Sequence, residues 1–165
     1  MPQPVIPDEV IFDRAPVLTR ALQGLPDEML TAMVAGIEAH ADDLVPGRLY
    51  GESTDGGCAV GVMLRELHPR HGLGRLRFRL RERNAWGVGA YPKLAMRYPR
   101  LRHVELAFDT TIERTLETSP ELSERDAARA AGIWFSSEAQ AELARRRWTT
   151  GAGDHGPSAP VAALR

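Results

Sequence analysis

Cysteine and lysine are almost missing from this chain. Cys58 is its single cysteine, which excludes an intrachain disulfide and any zinc site needing two thiolates from one chain. Lys93 is its single lysine, and every other basic side chain is arginine. With the alanine abundance this matches the codon usage of a GC-rich genome, so an arginine here does not by itself argue for bidentate chemistry. No apolar run approaches the length of roughly 18 residues that a membrane-spanning helix needs. Met1-Pro2-Gln3-Pro4 lacks the basic region and apolar stretch of a signal peptide. The expectation is a soluble cytoplasmic protein with no membrane partner. The loop glycines of Gly72-Leu73-Gly74 and Gly87-Val88-Gly89 miss the offsets of both the phosphate loop and the dinucleotide fingerprint. No cofactor is therefore expected, and no internal repeat is visible.

What is present suffices for one core. The chain has 165 residues, 43% hydrophobic and 26% charged, a length and balance that allow a single globular domain without staples. Its net charge of -1 hides a strong segregation. Residues 1–60 carry a net -7, residues 61–104 a net +9, residues 105–142 a net -6 and the remainder a net +3. Either the basic middle forms a face for an anionic partner, or it packs among the acidic helices on both flanks. The near-neutral pI of about 6.5 favours the second reading, because dedicated nucleic-acid binders are usually basic.

Read along the chain, the pattern is helical. Three prolines make residues 1–7 an extended N-terminal arm. Residues 8–12 are ambiguous, and Ala15 to Leu22 supports a turn or two of helix broken by Gly24. A clear helix follows Pro26: Asp27 and Glu28 suit its N-terminal dipole, and Leu30, Met33, Val34, Ile37, Ala41 and Leu44 recur at helical spacing until Pro46-Gly47. After a polar turn at 51–57, residues 58–67 are apolar nearly all round, which reads as a buried central helix. Thr54 or Asp55 is its expected cap, and His68-Pro69 its expected end. Gly57 and Gly61 would let another backbone come close. Arg75 to Arg81 alternates with Leu76, Phe78 and Leu80, the period of a half-exposed strand, with a helix through 75–83 as the alternative.

From Arg100 a further helix carries Leu101, Val104, Phe108, Ile112 and Leu116 on one side. Glu105, Asp109, Glu113 and Glu117 form a self-repelling stripe on the other, expected to face water or arginines. Ser119 or Ser123 starts the next helix, the latter with Asp126 in a capping-box arrangement, and Ala127, Ala130, Ala131 and Trp134 face the core. Ser136 or Ser137 is expected to restart a last helix through Arg147. The fold expected is mainly α, a single-domain bundle of four to five helices over residues 8–148. A small β-ribbon near residues 75–91 and a disordered tail at 149–165 complete it.

Three kinds of chemistry can be placed on this frame. Cys58 follows two glycines at a helix start, where backbone N–H groups lower a thiol pKa. His103 as base and Asp109 as orienting carboxylate complete a nucleophilic set. In residue order and position alone it resembles papain-like cysteine hydrolases. No papain-type signature surrounds Cys58, and His103 and Asp109 are six apart on one helix, a poor spacing for contact. The plainer reading is a small buried apolar cysteine. His68 and His71, with Cys58 or His103, are the nearest approach to a metal set. Pro69 and Arg70 between the two histidines argue against it, and no metal is expected. His40, at the end of its helix with Asp42 and Asp43, reads as a solvated helix end. The anion-binding candidates are Arg75, Arg77, Arg79, Arg81 and Arg83, with Trp86, Tyr91 and Tyr98 following, a mixture that can meet phosphates and stack bases. The function expected first is an interaction or regulatory protein that binds a protein partner or a second copy of itself. Nucleic-acid or anionic-ligand binding comes second, and a Cys58-dependent hydrolase or transferase third.

Overall fold

The computed structural model describes residues 4–47, 57–71, 96 and 98–151. The expected turn at 51–56 with its caps Thr54 and Asp55, the ribbon at 75–91 and residues 152–165 lie outside the described residues. Among the described residues five α-helices form the bundle: α1 Asp8–Gln23, α2 Asp27–His40, α3 Ala59–His71, α4 Leu101–Thr118 and α5 Glu124–Gly151. A 3-10 turn at Ala41–Asp43 follows α2. Among the described residues no strand forms, and Leu44 pairs with Gly57 in an isolated parallel bridge. The mainly α bundle is the fold the periodicity predicts.

Helix α3 is the buried element. Cys58, Ala59, Val60, Val62, Met63, Leu64 and Leu67 are all within 3% of full burial, because this stretch offers apolar side chains in every direction. It packs on α2 and α4, while α5 lies against α1, α2 and α4. The close backbone approach expected at Gly57 and Gly61 is supplied from the facing helix: a Cβ at Gly36 of α2 would stand 2.6 Å from the Val62 carbonyl oxygen. Alanines 127, 128, 130, 131 and 139 let α5 sit low on its neighbours. Phe135 then meets Phe108 of α4 edge to face, with ring centres 5.4 Å apart. Such a pair adds about 1 kcal/mol to its area burial. Thr111 and Thr115, fully buried on α4, donate to the carbonyls of Ala107 and Thr111, so no hydroxyl is left unbonded there.

Several boundaries differ from the sequence expectation, each for a local reason. Helix α1 is continuous from Asp8 and carries Pro16 inside it. Proline withholds one bond, that to the Phe12 carbonyl, and Phe12 stands 86% exposed, where water can take the carbonyl. Helix α2 stops at His40, earlier than its stripe suggested, so Leu44 reaches the core from extended backbone. Helix α3 begins at Ala59, which makes Cys58 its flanking residue, with the Cys58 carbonyl accepting from Val62. It continues past Pro69 to His71. Ser123 caps α5 as expected, accepting from the Asp126 N–H at 3.1 Å, but nothing restarts at Ser136 or Ser137. Ser136 is 7% exposed within one unbroken helix, held by the continuing apolar side chains Phe135, Ala139 and Leu143. That helix also takes in Thr149 and Thr150, whose hydroxyls bond back to Arg146 and Arg147 carbonyls.

Candidate functional site

Cys58 is fully buried. Burial pushes its thiol far up from the ordinary range, and the negative charges of Glu105 and Asp109 add to the shift. Backbone N–H groups of Gly61 and Val60 act the other way. The helix-start effect is thus present and loses to desolvation, which is the larger of the two for a buried group. Native protein is expected to resist iodoacetamide up to mildly alkaline pH and to label only after denaturant exposes the thiol. Native labelling as fast as that of a free thiol would show that this burial is wrong.

The other two members of the expected set are placed apart in role. His103 is exposed on α4 and lines a groove against α1. Asp109 is half-buried and accepts the Gly47 N–H at 2.8 Å. Burial raises its carboxyl pKa, the Gly47 N–H holds it back, and Glu113 adds a like charge that raises it. The stripe to which it belongs is therefore not uniformly wet: Glu105 is only 6% exposed, whereas Glu113 and Glu117 face solvent. Among the described residues no three His, Cys, Asp or Glu side chains converge as a metal set would. The candidates Arg75, Arg77, Arg79, Arg81 and Arg83 lie outside the described residues.

The groove between α1 and α4 is the feature that composition did not disclose. Its cavity of about 420 Å³ has an apolar floor of Val17, Ala21, Leu106 and Ala107. Val17 and Leu106 remain 45% and 50% exposed, large fractions for aliphatic side chains beside a core. Around that floor stand Arg14, Arg20, Arg100 and His103. Arg20, Arg100 and His103 form no ion pair among the described residues. Arg14 spends one terminal nitrogen on Asp13 at 2.7 Å, while its Nε is buried with no hydrogen-bond partner among the described residues. Gly24 helps to shape the rim, since a Cβ there would meet the Arg100 side chain at 2.7 Å. The arrangement is an apolar slot edged by cations, suited to a ligand that brings both an apolar body and negative charge.

Charge elsewhere is mostly spent within the fold. Arg129 pairs with Asp42 at 3.1 Å, Arg125 donates to the Asp42 carbonyl, and Arg146 reaches Asp27 at 2.7 Å. The acidic N-terminal helices thus take arginines from α5. A smaller depression between α2 and α5, lined by Ile37, Ile133 and Gln140 among others, carries no cluster of like charge. No helix among the described residues is long and apolar enough to cross a membrane. Comparison with protein-family models, with curated proteins and with solved structures finds no match for this chain.

Proposed function

We propose that this is a cytoplasmic interaction module whose α1–α4 groove receives an acidic, apolar-tipped segment of a partner protein. The observation that carries the reading is the pairing of half-exposed Val17 and Leu106 with Arg20 and Arg100, which form no ion pair among the described residues, at one cleft. Apolar burial supplies affinity there, and the cationic rim supplies selectivity and a faster encounter. The free thiol of Cys58 is sealed in the core. A nucleophilic role for that thiol has no support in its burial or in the direction of its pKa.

The test is a fluorescence-anisotropy titration with two amphipathic peptides, one of leucine and glutamate and one of leucine and lysine. The glutamate peptide is expected to bind, and to bind more weakly as salt screens the rim. The variant Arg20→Glu/His103→Glu, with both sites exposed, should weaken it by about tenfold or more while keeping wild-type helical circular dichroism. Equal binding of the lysine peptide, or unchanged binding by the variant, overturns the proposal.

A further inference from the structure

The groove is one end of a longer surface. Arg20 and Ala21 of α1 line it together with Arg100 and His103 of α4. Glu9 and Asp13 of α1 line a second depression together with Arg114 and Thr118 of α4. The two helices therefore run antiparallel, and the face they share changes sign along its length. At one end stand Arg20, Arg100 and His103. In the middle are Val17, Leu106 and Thr110. At the other end are Glu9 and Asp13, the latter bonded to Arg14 at 2.7 Å, with Glu117 beside the depression through its bond to Arg114; all three carboxylates are exposed. Arg114 is the cation at that end among the described residues, and it is already paired with Glu117 at 2.8 Å. Glu9 forms no ion pair among the described residues.

A surface that is basic at one end, apolar between and acidic at the other is complementary to itself turned by half a revolution. We infer that the acidic partner of this groove is a second copy of the chain, docked antiparallel across the α1–α4 face about a twofold axis. This rests on the reading of the groove as a binding site and names its occupant. In such an isologous contact each cationic rim meets the partner's acidic end, so the contact occurs twice by symmetry. The half-exposed Val17 and Leu106 are covered in the same step. A parallel arrangement would set like charges together at both ends and is disfavoured. A strip two helices wide and about three turns long is smaller than the roughly 800 Å² per partner of a standard interface. The dimer is accordingly weak and salt-dependent.

Sedimentation velocity of the full chain over a concentration series, at low and at high salt, tests this with two charge-reversed variants. Arg20→Glu/His103→Glu makes both ends of the face acidic, and Glu9→Arg/Glu117→Arg makes both ends basic. Wild-type protein should dimerise at low salt and dissociate at high salt. Each variant alone should stay monomeric at the concentrations where wild type dimerises, with wild-type helical circular dichroism. Mixed in equal amounts they should form a heterodimer, because both contacts are then restored. A wild type that is monomeric throughout, a dimer indifferent to salt, or variants that dimerise like wild type each overturn the inference. The glutamate-peptide titration separates the two readings. A monomer that still binds that peptide loses the dimer and keeps the groove, whereas a monomer that binds neither peptide loses both.

Discussion

Arg146→Ala is expected to lower the unfolding free energy by about 3 kcal/mol, a fall of about 10 °C in melting temperature for a chain of this size. One guanidinium closes the meeting point of three helices. Its Nε donates to Glu142 at 2.8 Å, one terminal nitrogen to the Leu25 carbonyl and the Asp27 carboxylate, and the other to the carbonyls of Leu22 and Gln23. Two of those carbonyls belong to the last turn of α1, whose C=O groups have no intrahelical N–H donors. Glu142 is 6% exposed. Truncation leaves that buried carboxylate with Arg145 as its remaining ion-pair partner, and a buried charge that loses one partner is costly. Arg146→Lys should recover less than half of the loss, since an ammonium cannot address a fork of carbonyls and carboxylates at once. Urea denaturation followed by circular dichroism measures both. A loss within about 0.5 kcal/mol, the range of an ordinary surface substitution, would mean that water replaces these bonds freely.

That joint also shows how far the sequence can be read. Periodicity alone places α2, α3 and α4, because long apolar stripes at helical spacing admit few other structures. Leu30, Met33, Ile37, Val60, Met63, Leu64, Leu101, Val104, Phe108 and Ile112 are buried as expected, while Val34 and Trp134 pack partly buried against them. The failures lie where a local signal contradicts its surroundings. Pro16 hides α1, although it removes a single hydrogen bond in a turn that faces water. Ser136 and Ser137 mimic a helix start inside α5, although Phe135, Ala139 and Leu143 hold the helix through them. Losing α1 also loses the groove, since Arg14, Val17 and Arg20 share a wall only if residues 8–23 are one helix. His103 stood out in the sequence for acid–base chemistry with Cys58. Its neighbours are instead arginines and aliphatic side chains, a combination that no spacing rule connects across 80 residues of chain.

The second large effect is expected at Gly36. Alanine is the better helix former by about 1 kcal/mol, so an isolated α2 would gain from Gly36→Ala. In the folded protein the new methyl would lie 2.6 Å from the Val62 carbonyl oxygen, 2.8 Å from its carbon and 3.2 Å from the Met63 nitrogen. All three atoms belong to the backbone of α3, so no rotamer change relieves the contact. The helices must part, and the fully buried Met33, Ile37 and Met63 lose packing with them. Overpacking of this kind costs about 1–3 kcal/mol. The clash outweighs the propensity gain, and a net loss of about 2 kcal/mol is expected in chemical denaturation. Gly47→Ala is the control. Gly47 sits at φ 68° with no atom close to its missing Cβ, so it should lose about 1 kcal/mol through backbone strain alone. If Gly36→Ala instead proves as stable as wild type, the α2 and α3 backbones stand farther apart than this packing requires. The role of glycine there would then be conformational freedom and not proximity.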